Sequence, residues 1–139
     1  MSGEYVIRHL LANNAPVIAL VPAARIICGE LPLNTTLPAI SVTMISSVPL
    51  NMLRINEMPK TFTDRIQVTV VCKAGAVAGS GYSGVKAIQQ LVLAACPSQR
   101  ATVNTIVVDS IIPDFEYGPT YDNINLIYSA SRDFFVRHT

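Results

Sequence analysis

The residues with the most chemistry to offer stand in one short segment, Gly79-Ser80-Gly81-Tyr82-Ser83-Gly84. It matches the GxGxxG spacing of a dinucleotide site, lies between a strand-like and a helix-like run, and is followed by Asp109. In such a site the glycines follow directly on a buried parallel strand, so that the pyrophosphate meets the helix N-terminus. Here the small-residue run 74–81 intervenes, and the preceding run alternates instead of being apolar throughout. Asp109 falls inside an apolar run, away from the strand end where a ribose would sit. Gly79 and Gly84 also have phosphate-loop spacing, but Val85-Lys86 replaces the lysine and Ser/Thr that should follow. The lysine is one position late, about 100° around a helix. The segment reads as a flexible connection. Nucleotide binding through it, which would make the protein a small enzyme, is the competing reading.

His9 falls on a helix-like run and His138 on a terminus expected to fray; neither stands near a serine or cysteine in a nucleophile motif. Cys28, Cys72 and Cys96 are odd in number and widely spaced, fit no zinc or disulfide pattern, and read as buried reduced thiols. No HExxH or EF-hand spacing occurs. The motifs therefore imply no catalytic residue, no metal and no cofactor.

The elements that would position any site follow from periodicity. Residues 4–13 predict a helix with Val6, Ile7, Leu10 and Leu11 on one face, capped by Ser2 or Gly3 with Glu4 at the positive end of its dipole. Pro16 starts a short second helical turn to Leu20. Residues 25–31 are a candidate strand. Residues 38–47 alternate, with Ile40, Val42 and Met44 on one face. Residues 63–73 alternate best: Ile66, Val68, Val70 and Cys72 inward, Arg65, Gln67, Thr69 and Lys73 outward. Between these two strands, residues 49–61 hold Leu50, Met52, Leu53, Ile55 and Met58 in no clean period, the outer part of a long hairpin. Residues 82–95 form an amphipathic helix through Val85, Ile88, Leu91, Val92 and Ala95. Residues 103–112 predict a strand, 114–122 a loop rich in turn residues, and 124–136 a last strand through Ile124, Leu126, Tyr128, Ala130, Phe134 and Val136. The expected architecture is an α+β domain, 1–139, with a mostly antiparallel sheet. Two main helices pack on one face, in the order helix, three strands, helix, two strands.

Composition narrows the function. Half of the 139 residues are hydrophobic and only 14% are charged, against roughly 25% in an average soluble domain. Disorder is excluded, and a net charge of +1 disfavours a basic-patch nucleic-acid binder. No signal-length or membrane-spanning apolar run is expected, since the charge-free stretch 31–53 is broken by Pro32, Pro38 and Pro49. A surface so poor in charge points toward obligate assembly. The charges also fall in blocks: 54–100 carries Arg54, Lys60, Arg65, Lys73, Lys86 and Arg100 against Glu57 and Asp64, and 101–131 carries Asp109, Asp114, Glu116 and Asp122 with no basic residue. These blocks are either solvated faces or head-to-tail complementary surfaces of identical subunits. In the second case Arg54, Lys60 and Arg65 face Asp114, Glu116 and Asp122 of the next subunit. Tyr117 and Tyr121 then serve as apolar anchors. Leu50, Met52 and Leu53, in the arm 49–61, are expected to reach a neighbouring subunit or the tail tube.

The order of segments carries a family resemblance. Tyr5-Val6-Ile7-Arg8-His9-Leu10-Leu11, Leu37-Pro38-Ala39-Ile40-Ser41-Val42, Asp64-Arg65-Ile66-Gln67-Val68-Thr69-Val70-Val71 and Tyr82-Ser83-Gly84-Val85-Lys86-Ala87-Ile88 precede a paired strand near the C-terminus. This resembles the tail-completion family of long-tailed bacteriophages and prophages, the DUF3168-type proteins, similar in fold and role to siphophage tail terminators. The resemblance implies a virion protein, assembled in the host cytoplasm, that forms a hexameric ring at the head-proximal end of the tail tube. Its partners would be further copies of itself, the tail tube protein and a head-completion or connector protein. Genome DNA would pass through the lumen without sequence-specific binding, and no membrane is involved. No catalytic residue or cofactor comes with the family. A stopper or adaptor at the head–tail joint is the alternative within the same class.

Overall fold

The computed structural model describes residues 3–32, 34–50, 60–75, 80–103 and 105–139. Helix α1 (Gly3–Ala12) buries Val6, Ile7 and Leu11 on one stripe. Helix α2 (Ala15–Leu20) follows, with Pro16 in its first turn and the Asn14 side chain accepting a hydrogen bond from the Val17 N–H at 3.2 Å. A 3-10 turn, Ala23–Arg25, leads into strand β1 (Ile26–Cys28), shorter than the expected 25–31.

Strands β2 (Ala39–Pro49) and β3 (Phe62–Lys73) pair antiparallel from Ala39↔Val71 to Pro49↔Phe62. This is the expected hairpin; its outer residues 51–59 lie outside the described residues. Helix α3 (Gly81–Ala95) buries Val85, Ile88, Gln89 and Val92. Strands β4 (Ala101–Val103), β5 (Ile106–Asp122) and β6 (Ile127–His138) complete a six-stranded sheet of order β1-β2-β3-β6-β5-β4. β1 is parallel to β2, and every other neighbouring pair is antiparallel. The α+β class and the mostly antiparallel sheet agree with expectation, while the element order differs.

The core lies between one sheet face and the helices. β3 contributes Ile66, Val68, Val70 and Cys72, β6 contributes Ala130, Phe134 and Val136, and both α1 and α3 contact these two strands. Burying a side chain of the Phe134 or Ile66 kind stabilises by about 1.5–3 kcal/mol. These alternating residues hold β3 and β6 together without a slip, from Phe62↔His138 to Lys73↔Ile127.

Three expectations need correction. The strand expected at 103–112 is two strands, with Thr105 at φ 72 in the turn between them. The loop expected at 114–122 is the second half of β5. Its Pro113, Gly118 and Pro119 sit at register shifts against β6, so they bend the strand without ending it. Ile124 and Leu126, expected inward on the last strand, lie in the turn before β6 and are exposed.

Candidate functional site

The glycine segment lacks the surroundings of a nucleotide site. The strand before it, β3, is antiparallel to both its neighbours, so no parallel strand–helix crossover is formed. Gly79 lies outside the described residues. Gly81 opens α3 at φ +72, and a Cβ there would lie 2.5 Å from the Gly75 carbonyl oxygen. Its glycine is thus needed for a tight backbone approach. Gly84 is buried inside α3.

His138 is not frayed. It is the last residue of β6, buried, with its Nε2 2.7 Å from Asp64 Oδ2 and its ring stacked against Phe62. Asp64 Oδ2 also accepts the Gly3 N–H at 2.7 Å, and Oδ1 accepts the Ser47 hydroxyl. Serine, histidine and aspartate meet here in the wrong order for nucleophilic catalysis. Both Ser47 and His138 donate to the carboxylate, so no base touches the hydroxyl. The arrangement instead works as a long-range cap. A carboxylate on the sheet satisfies an orphan N–H at the positive end of α1. Gly3 permits the approach, since a Cβ there would meet Asp64 and Val136 at 3.1 Å. Burial works to raise the Asp64 pKa, but the hydrogen bonds from Ser47, Gly3 and His138 outweigh it and hold the carboxyl below its ordinary value. Neither Asp64 nor His138 was among the residues expected to matter.

The cysteines are free, with Cys28 half-buried and Cys72 and Cys96 buried. Burial pushes the Cys72 thiol up to about 11 and the Cys96 thiol up to about 12, which makes them poor nucleophiles. Among the described residues no group of three or more His, Cys, Asp or Glu side chains could hold a metal ion. His9 is exposed and borders a surface cavity of about 400 Å³ between the end of α1, the end of α3 and β4, beside Leu10, Asn13 and Thr102.

The residues expected at subunit interfaces are scattered over four places. Leu50 is exposed at the base of the β2–β3 hairpin, where its N–H donates to the Thr61 carbonyl, and Lys60 is exposed beside it. Met52, Leu53 and Arg54 lie outside the described residues. On the helix-free sheet face, Arg65 forks onto Asp133 Oδ2 with Nε at 2.9 Å and Nη2 at 2.6 Å, and the Tyr117 hydroxyl lies 3.5 Å from the same oxygen. The Arg65 guanidinium also lies over the Phe135 ring. On the opposite face, Glu116 binds Arg132 at 3.0 Å and Lys86 at 3.7 Å, while the Asp114 carbonyl accepts from Arg132. At the β5–β6 turn, Asp122 accepts the Ile124 and Asn125 N–H groups and the Asn125 amide. These bonds lower its pKa. Tyr121 packs on Tyr128 with ring centroids 4.6 Å apart.

Sequence reasoning overlooked a set of large apolar residues that the fold leaves in solvent. Val48 is 61% exposed, Ile112 54% and Phe115 66%. Tyr117 joins them through its ring contact with Phe115. They stand on edge portions of the sheet, where strand alternation places a residue outward without implying a cover for it. Their positions in β2 and β5 were the available signal, and the reading of 114–122 as a loop hid half of it.

No protein-family model matches this chain, and no curated protein sequence is similar to it. Its fold is similar to that of a chain in the solved virion of a native gene transfer agent particle, with a TM-score of 0.68 at 11% sequence identity. The likeness covers 97% of this chain and 92% of the other.

Proposed function

We propose that the protein is a structural subunit of a phage-like virion, and more closely a tail-completion subunit of the terminator kind. The observation that carries this reading is the fold likeness to a virion chain over nearly the full length of both proteins. The exposed apolar residues on the sheet edges support it too, since surfaces of that kind are usually covered in the working state. In this reading the whole chain is one domain, and six copies form a ring on the head-proximal end of the tail tube. The ring stops tube growth and receives the head-completion or connector protein, with DNA passing through the lumen and no catalytic or cofactor site involved. Arg65 and Asp122 already hold partners within their own chain. Glu116 is likewise held by Arg132 and Lys86, so charge pairing between subunits falls first to Arg54 and Lys60 against Asp114.

The test is removal of the gene from its phage or particle cluster, followed by electron microscopy of the lysate. A terminator leaves tail tubes of uncontrolled length without heads. Tails of normal length lying apart from filled heads would instead assign the protein to a stopper or adaptor.

A further inference from the structure

We propose that neighbouring copies join by continuing the β-sheet, with the outer half of β2 in one copy pairing antiparallel to the outer half of β5 in the next. The proposal rests on the ring reading and specifies how the ring closes. Among the described residues, β1 covers β2 only at residues 40–42, and β4 covers β5 only at residues 106–108. Beyond those points each strand has a partner on one side alone, and residues 44–49 and 115–118 are exposed throughout. Open edges of this kind are normally guarded by charge or proline. The run from Ile45 to Val48 has neither, with Pro49 after it; the run from Asp114 to Gly118, between Pro113 and Pro119, carries Asp114 and Glu116, of which Glu116 is held by Arg132 and Lys86 of its own chain.

Three further observations select this pairing. First, β2, β3, β6 and β5 alternate in direction, so β2 and β5 run oppositely. Rotating a copy about an axis along the strands therefore sets β5 antiparallel to the next β2, and the alternation continues. Second, the side-chain period limits the register to steps of two, because outward residues must meet outward residues. Val48 lies opposite Thr63 on the helix-free face, and Tyr117 lies opposite Ser131 on that face with Phe115 against it. Placing Val48 opposite Phe115 then puts Ser46 opposite Tyr117, which forms an aromatic–β-branched pair across the joint. The same register brings Asp114 to the base of the neighbour's hairpin, beside Lys60. Third, β5 does not suit itself as a partner, since two antiparallel copies would set Asp114 and Glu116 against like charges. Only the β2–β5 joint satisfies both edges and leaves a head-to-tail contact that closes into a ring.

The experiment is disulfide trapping with Val48→Cys and Phe115→Cys, alone and together, under mild oxidation. It is run on rings of the isolated chain and on assembled tails, with ring formation read separately by native mass spectrometry. Both side chains are exposed and apolar, with no hydrogen bond to lose, so the variants keep the fold. The double variant should give a ladder of covalent oligomers ending at the ring's subunit number, and each single variant should give none. Rings that form normally while neither this pair nor Val48→Cys with Tyr117→Cys cross-links would overturn the edge pairing and leave the ring reading intact. Covalent dimers from Val48→Cys alone would show β2 pairing with itself and overturn it as well. A chain that forms no ring in either setting would remove the ring reading and this proposal together.

Discussion

The pairing of β3 with β6 and the outer half of β5 are both strand, yet they are built on opposite principles. In the first, every residue from Phe62 to Lys73 finds its partner in unbroken register. One face of each strand is locked into the core by Ile66, Val68, Val70, Phe134 and Val136, so a slip of one residue would bring polar groups into the core. In the second, the register shifts between Pro113 and Glu116 and again between Tyr117 and Thr120, and the side chains on both faces reach solvent. Nothing in the protomer's own core depends on their phase. Such a stretch is free to bend, and its large side chains are available to another molecule. The comparison separates residues that hold the protomer together from residues that its own packing leaves open.

The largest expected effect lies in the centre. Phe134 is fully buried at the middle of the core. Phe134→Ala should lower stability by about 3–5 kcal/mol, read as a fall in Tm of roughly 10–20 °C by calorimetry. A loss below about 1 kcal/mol would mean that the centre repacks and that the contrast with β5 is weaker than drawn.

A smaller effect is expected at Asp64, which ties α1 to the same central strands. Asp64→Asn keeps an oxygen but offers an amide to donors that need an acceptor, and should cost about 2 kcal/mol near neutral pH. The sign of its pH dependence follows from the depressed native pKa. The carboxylate's contribution is present above the ordinary aspartate value of about 3.9 and disappears as pH falls through the lower native value. Denaturant melts at stepped pH should therefore show wild type and Asp64→Asn converging below pH of about 4. A gap that stayed constant into strong acid would show that the ionised carboxylate contributes nothing to the anchor.

What was legible in the sequence divides along the same line. The alternation in β3 and the helical stripe of α3 could be read directly because a single buried face imposes one period. The same phase carried more than was taken from it. Asp64 stands two residues before Ile66, and His138 two after Val136, so both fall on the inward face. A buried, hydrogen-bonded cluster on α1 was implied once charge was allowed to face inward. Asp133 shows the reverse case: it belongs to the helix-free face but is buried because Arg65 and Tyr117 close over it, a contact across strands that no local period encodes. The outer half of β5 was misread because Pro113, Gly118 and Pro119 are turn residues by type, and only the pairing with β6 turns them into bends within a strand. Of the exposed residues on outer β5, Glu116 and Tyr117 can be singled out from type and charge alone. Val48, Ile112 and Phe115 cannot, since exposure of a large apolar side chain depends on what fails to pack above it.

The smallest effect on stability is expected where the effect on assembly should be greatest. Phe115 is 66% exposed and, among the described residues, its ring contact is with Tyr117, itself exposed. Truncating it removes little buried area, leaves no cavity and unpairs no polar group, so Phe115→Ala should change unfolding free energy by no more than about 0.5 kcal/mol. If the outer half of β5 serves a neighbour, that ring sits at the centre of a joint from which water is excluded. Centrally placed aromatic anchors of this kind commonly contribute 2 kcal/mol or more, with each contribution of about 1.4 kcal/mol equal to tenfold in affinity. Sedimentation at matched concentrations should then show assembly weakened by roughly tenfold or more per joint while the melting curve stays in place. A variant that assembles like wild type would make Phe115 an idle surface residue. A variant that melts early would make it part of the protomer's own packing, and the division between the centre and outer β5 would have to be redrawn at Pro113, the last residue of β5 paired in register before the first shift beyond the core.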